Sequence, residues 1–232
     1  MVKKGCIILS VFLMLMILCK YVHANGMMSP FTLSDLSNDN IEMIKFIKED
    51  LEIYIYDGYV DVRGKYIYLN PSHFYGTNAD IIYPFMVNEN IGEPYSIQVL
   101  DNSGQEIQFD TDYTVTLDYD DASETSPEIL YEKLINFNFY IGQEKREAIF
   151  INFKQPCYSN EFTYILSTTL TWGEPLEEAR FTVYIGNSLG ELDSNYPFAK
   201  ISENEQFTKY YLEETSFFPK DDMLLKWSGD NQ

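Results

Sequence analysis

The sequence is poor in the residues that build most small reactive centres, with three cysteines and two histidines among 232 residues. Cys6, Cys19 and His23 fall in the first 24 residues, so Cys157 and His73 stand alone in the remainder. A single cysteine excludes an internal disulfide framework, and stability has to come from packing. One cysteine and one histidine cannot assemble a structural zinc site, and a Ser–His–Asp arrangement would have to use His73. The zinc-protease helix pattern is absent from the sequence. Cys157 reads as a small buried thiol, with a nucleophile or an intermolecular bridge as alternatives. His73 follows the turn-like Asn70-Pro71-Ser72 and reads as a solvated loop side chain.

Basic residues and long apolar runs are also scarce. Sixteen Lys and Arg stand against 36 Asp and Glu, a formal charge of −20. The apolar run over residues 6–18 has 13 residues, short of the roughly 20 that span a bilayer as a helix. Lys3 and Lys4 precede it and Val22-His23-Ala24 follows it, so residues 1–24 read as a signal peptide cleaved after Ala24. An uncleaved anchor and a lipoprotein modified at Cys19 are the alternatives, although Leu18 is bulky where lipidation wants a small residue. Cleavage would leave 13 basic and 36 acidic residues, a formal charge of −23. Phosphate backbones and anionic lipids repel such a chain, which argues against a nucleic-acid partner. With a polar C-terminus and no second apolar run, no membrane span is expected after cleavage, and the expected location is the cell envelope or the medium.

Aromatic residues are abundant, with 19 Tyr and 16 Phe. After a polar lead-in over 25–40, apolar or alternating runs occupy 51–56, 59–69, 80–87, 95–100 and 113–119. Between them stand Asp57-Gly58, Asn70-Pro71, Asn88-Glu89-Asn90 and Asn102-Ser103-Gly104, each a turn signal. Short strands at this spacing predict a sandwich. Phe137, Phe139 and Ile141 alternate, and a returning strand runs from Ala148 to Phe153. The stretch 162–186 predicts two neighbouring antiparallel strands, 162–170 and 181–185, joined at Gly173 and Pro175. Trp172 then covers the open end of a core, or else stands exposed and stacks on a sugar. Ser126-Pro127-Glu128 is a helix opening, and Ile129, Leu130, Tyr131, Leu134 and Ile135 can share one face, which predicts a helix over 127–136.

The run from Asp57 to Asn70, followed by Ile82-Tyr83-Pro84-Phe85, resembles the opening of the VIT-type β-sandwich domain, where a strand ending in Asn precedes a Tyr-Pro-Phe turn. The order also resembles an uncharacterised group of exported bacterial proteins that pair this opening with a Thr-rich strand ending in Trp-Gly-x-Pro-Leu, here Trp172 to Leu176. The resemblance implies a sandwich fold and no catalytic residue. The expected fold is therefore mainly β, an antiparallel sandwich of two packed halves, 41–122 and 123–232, with one short helix.

Two groups of residues can carry function. Asp118, Asp120, Asp121 and Glu124 lie within seven residues and could share one calcium ion, though the spacing and glycine of an EF-hand are missing. A solvated acidic loop is the plainer reading, and no other cofactor is expected. The aromatic surplus could form a platform for a glycan or a protein partner, or simply decorate a sheet. Three functions remain: an exported non-catalytic binding or structural protein, a carbohydrate-binding module, and a hydrolase using a carboxylate pair.

Overall fold

A computed structural model of the chain describes residues 27–28, 44–117 and 129–228. Fourteen strands follow one another: β1 (Met27–Met28), β2 (Lys45–Tyr56), β3 (Tyr59–Leu69), β4 (Thr77–Val87), β5 (Tyr95–Leu100), β6 (Asp110–Leu117), β7 (Ile129–Ile141), β8 (Arg146–Pro156), β9 (Glu161–Tyr164), β10 (Leu176–Gly186), β11 (Glu191–Ser194), β12 (Ala199–Glu203), β13 (Phe207–Phe217) and β14 (Met223–Ser228). They form a seven-stranded sheet in the order β12-β13-β10-β2-β3-β8-β5, a four-stranded sheet β1-β4-β7-β6 and a three-stranded sheet β11-β14-β9. The chain is mainly β, as its alternating pattern predicts.

β2 is the middle strand of the large sheet. Leu51, Ile53 and Ile55 point inward and are fully buried, as are Val60 and Val62 on β3 and Phe181, Val183 and Ile185 on β10. Full burial of one such aliphatic side chain stabilises by about 1.5–3 kcal/mol. The inner face of this sheet packs with Ile81, Phe85, Ile135 and Phe137 of the four-stranded sheet and Phe162, Met223 and Leu225 of the three-stranded one in a single core. The sheets are assembled across residue 122. The large sheet takes β2, β3 and β5 from before it and β8, β10, β12 and β13 from after it, so 41–122 and 123–232 share sheets and one core.

Three expectations change. Residues 129–136, expected as helix, are strand, continuous with the alternating residues 137–141 in β7. Ile135, Phe137, Phe139 and Ile141 all point inward at period two, and β7 pairs with β4 on one side and β6 on the other, so two ladders outweigh a local helix signal. Ser126, Pro127 and Glu128 lie outside the described residues. The predicted strand 162–170 is cut short at Tyr164, and Ser167–Trp172 forms a 3-10 segment. Asp222 causes the turn by accepting hydrogen bonds from the backbone N–H of Leu166 (2.9 Å) and Ser167 (2.8 Å), and Gly173, at φ 72°, closes the segment onto the Leu170 carbonyl. Finally, the two strands of this stretch do not pair with each other. β9 pairs with β14, while β10 lies between β13 and β2 and runs parallel to β2.

The Tyr83-Pro84-Phe85 segment is interior to β4. Among the described residues β1 meets β4 only at Ile81 and Ile82, so Pro84 is required to donate no ladder hydrogen bond to β1. Asn70 is fully buried at the end of β3, where its Nδ2 donates to the carbonyls of Tyr75 and Ile141 and its Oδ1 accepts from Ser72 N–H.

Candidate binding face

The β2–β3 hairpin closes through Asp57 and Gly58, whose φ of 80° suits glycine. The two-residue connection sets the register Tyr56 opposite Tyr59, Tyr54 opposite Asp61, Glu52 opposite Arg63 and Asp50 opposite Lys65. Because the intervening residues point inward, all eight point outward. β10, running parallel to β2, places Tyr184 beside Tyr54 and Arg180 beside Asp50. β13 adds Lys209 beside Tyr184 and Glu213 beside Arg180, and β8 adds Lys154 beside Asp61 and Phe150 beside Lys65.

This outer face carries a continuous stack. The rings of Tyr54 and Tyr184 lie 4.4 Å apart and nearly parallel, at 5°. Two rings on neighbouring strands reach that geometry only by standing upright on the sheet, face to face across the strands. Their outer faces are covered in turn, by the Arg63 guanidinium 4.7 Å from the Tyr54 centroid and by Lys209 Nζ 5.3 Å from that of Tyr184. Tyr56 and Tyr59 stack at 4.8 Å with Lys154 Nζ 5.7 Å from the Tyr59 centroid, and Phe207 meets Tyr54 and Tyr56 edge-on. The Tyr54 hydroxyl donates to Glu52 Oε2 at 3.3 Å, and partial burial, reinforced by the Glu52 charge, pushes its pKa up to about 12.

Charge on this face is nearly balanced. Lys48, Arg63, Lys65, Lys154, Arg180 and Lys209 meet Asp50, Glu52, Asp61, Glu178 and Glu213, on a chain whose formal charge is −20. Arg63 pairs with Asp61 at 3.3 Å, Lys48 with Glu178 at 2.7 Å, and Arg180 with Glu178 and Glu213. Pairs at a solvent-facing surface contribute little to stability. Among the described residues no carboxylate lies within ion-pair distance of Lys65, Lys154 or Lys209; each lies over a ring instead.

A second polar group lies on the inner side of the same strands. Glu49 is buried, with the buried Tyr66 of β3 opposite it in register. The hydroxyls of Tyr66, Tyr83 and Tyr164 form a triangle with edges of 2.9, 2.8 and 3.2 Å, and Tyr164 Oη lies 2.8 Å from Glu49 Oε1. The four residues come from all three sheets. Glu49 Oε2 has no hydrogen-bond partner among the described residues, and burial pushes the Glu49 pKa up to about 7 against the opposing effect of the Tyr164 hydrogen bond.

The residues singled out in the sequence are dispersed. Asp118, Asp120, Asp121 and Glu124 lie outside the described residues, and no group of three or more His, Cys, Asp or Glu suited to a metal ion occurs among the residues that are described. Cys157 is buried, and desolvation pushes its thiol up to about 12. His73 is exposed and its Nδ1 lies 2.5 Å from Glu144 Oε1. Trp172 covers one end of the core, against Tyr68 at 5.6 Å and Phe46 at 6.0 Å, and its indole N–H has no acceptor among the described residues. Trp227 is buried. The Tyr54–Tyr184 stack and Glu49 were missed by sequence reasoning. The hairpin half of each was available: Asp57-Gly58 fixes the β2–β3 register, and the parity of Leu51, Ile53 and Ile55 puts Glu49 inside.

No family model matches this chain, and no curated protein matches it. Among solved structures it is similar to the M1 zinc metallopeptidase of Deinococcus radiodurans, with a TM-score of 0.41 at 8% identity over 79% of this chain and 42% of that one. It is also similar to a putative protease from Parabacteroides distasonis ATCC 8503, with a TM-score of 0.38 at 13% identity over 80% of this chain and 40% of that one. The chain thus spans about two fifths of the length of these structures, and likenesses at this level assign it no chemistry.

Proposed function

We propose that this is an exported, non-catalytic β-sandwich protein that binds a protein partner, at the cell envelope or outside the cell, through the outer face of the seven-stranded sheet. The observation that carries this reading is the Lys209–Tyr184–Tyr54–Arg63 stack. A sugar is held on an open ring face, and in this stack each face is occupied by another ring or by a cation. Upright rings present edges and hydroxyls, which suit the side chains and backbone of a protein surface. Charge indicates the partner's chemistry. Lys65, Lys154 and Lys209 lack carboxylate partners among the described residues, so a segment bearing Asp or Glu would complement them, and the balanced face is where an acidic partner meets least repulsion. The leader-like residues 1–24 support export. A carbohydrate-binding role draws on the same row of rings, but covered ring faces and the buried Trp227 count against it.

The test is capture of partners from the envelope and medium of the producing cells by the full chain and by the double variant Tyr54→Ala, Tyr184→Ala, with unfolding followed in parallel. Loss of a captured acidic protein from a variant that still unfolds cooperatively supports the reading. Equal capture by both proteins sinks it. A thermal shift with a soluble glycan, and no captured protein, would favour the carbohydrate-binding role.

A further inference from the structure

The strand that carries Tyr54 outward carries Glu49 inward, and the geometry around Glu49 has a proton count that its ionised form does not satisfy. Four oxygen–oxygen contacts link Glu49, Tyr164, Tyr66 and Tyr83. Each needs one proton, and three phenols supply three. With Glu49 ionised, Tyr164 donates to the carboxylate, and two protons remain for the three edges of the triangle. A fourth proton on Glu49 Oε1 completes the set: the carboxyl donates to Tyr164, and the three phenols donate around the triangle, each to the next. The neutral form also removes charge from Oε2, which has no partner among the described residues.

We propose that Glu49 is a proton-binding site, that its neutral carboxyl locks the junction of the three sheets, and that loss of the proton as pH rises loosens the docking of the three-stranded sheet. The three-stranded sheet enters the network through Tyr164 of β9, the four-stranded sheet through Tyr83 of β4, and the large sheet through Glu49 and Tyr66. Among the described residues no cation compensates a carboxylate at this point. On β2, Lys48 and Asp50 flank Glu49 and point to the outer face. β3 contributes Tyr66 and Tyr68, β10 meets Glu49 through Ala179, and the Ser167–Trp172 segment packed on β2 contains no ionisable side chain. β14 faces Tyr164 through Met223, and Asp222 beside it is engaged by the N–H groups of Leu166 and Ser167. Burial raises the folded pKa to about 7 from an ordinary 4.5. The stabilisation is therefore fully present below about pH 4.5 and is lost as pH rises through about 7.

The experiment is thermal unfolding of the full chain and of Glu49→Gln, an uncharged replacement of similar shape, from about pH 4.5 to about pH 8.5. The other acids titrate alike in both proteins, so the difference between them isolates Glu49. The expected result is a gap in Tm that moves in favour of Glu49→Gln by about 5–10 °C between the acid and alkaline ends. A gap that is constant with pH overturns the proposal. Should Glu49→Gln fail to fold, hydrogen exchange on the unaltered chain decides. Protection of the amides of 162–164 and 223–225 relative to β3 in the same sample falls about tenfold or more between about pH 6 and pH 8 if the lock is real; an unchanged ratio overturns it.

Discussion

Two groups of tyrosines lie on opposite faces of the seven-stranded sheet, and what surrounds each ring sets its role. Outside, Tyr54, Tyr56, Tyr59 and Tyr184 stand on edge among lysines, arginines and acids, with water available to any hydroxyl. Inside, Tyr66, Tyr83 and Tyr164 are buried, and their hydroxyls have one another and Glu49. An exposed hydroxyl exchanges a protein partner for water at little cost. A buried one has nothing to exchange with, so each missing hydrogen bond there costs about 1–3 kcal/mol. The inner group is therefore sensitive to the loss of single atoms, and the outer group is free to serve contact with another molecule.

The largest effect is expected where the inner group is crowded. Tyr66 lies over Gly64, and a methyl group added there would overlap the Tyr66 ring and hydroxyl. Gly64→Ala must push that ring from its place in the core and break its hydrogen bonds to Tyr83 and Tyr164. A loss of about 3 kcal/mol is expected, measured by urea unfolding. A loss below about 0.5 kcal/mol would mean that the triangle contributes little to the junction.

Tyr164→Phe is next, and its effect should depend on pH. It removes the one hydrogen-bond partner of Glu49 and two edges of the triangle, at a cost of about 2 kcal/mol. The Tyr164 hydrogen bond holds the Glu49 pKa down, so its removal raises the folded pKa further above 7. The unfolded pKa is common to both proteins, so the added loss appears only as pH rises above about 7, where Glu49 of the unaltered chain has ionised, and is absent at lower pH. Unfolding curves below and above about pH 7 check the sign; a larger loss at the acid end would contradict it.

Much of the sheet architecture was legible, because alternation at period two is a local signal. The β2–β3 hairpin follows from Asp57-Gly58 between two apolar or alternating runs, and β5 and β8 follow from the separate runs 95–100 and 148–153. Residues 129–136 of β7 were misread because Ile129, Leu130 and Leu134 satisfy a helical spacing as well, and the competing ladders with β4 and β6 come from residues distant in sequence. The threonines of 167–172 favour a strand, and the Asp222 carboxylate that turns them into a 3-10 segment lies more than 50 residues away. The candidate site divides in the same way. The β2–β3 half of the outer face could be read from the hairpin register, whereas Tyr184 arrives by a parallel pairing that no local pattern announces. Glu49 was visible as a polar residue at inward parity, but its three phenols come from strands as much as 115 residues away.

The smallest expected effect makes the most direct test of the comparison, because it repeats the tyrosine-to-phenylalanine change on the other face. Tyr184→Phe keeps the ring, its stack on Tyr54 at 4.4 Å and the Lys209 ammonium above it. It removes only a hydroxyl on the solvent side of the sheet, so no buried donor or acceptor is stranded. The stability change should stay within about 0.5 kcal/mol by urea unfolding, several times smaller than for Tyr164→Phe, and should not vary between about pH 5 and pH 8. Tyr184→Ala goes further by opening the inner face of Tyr54 and freeing Lys209, and it should weaken partner capture where Tyr184→Phe does not, since it alone breaks the stack. If the two phenylalanine variants lost equal stability, burial would not be what separates the two groups. The outer tyrosines would then belong to the architecture of the sheet and not to a contact surface.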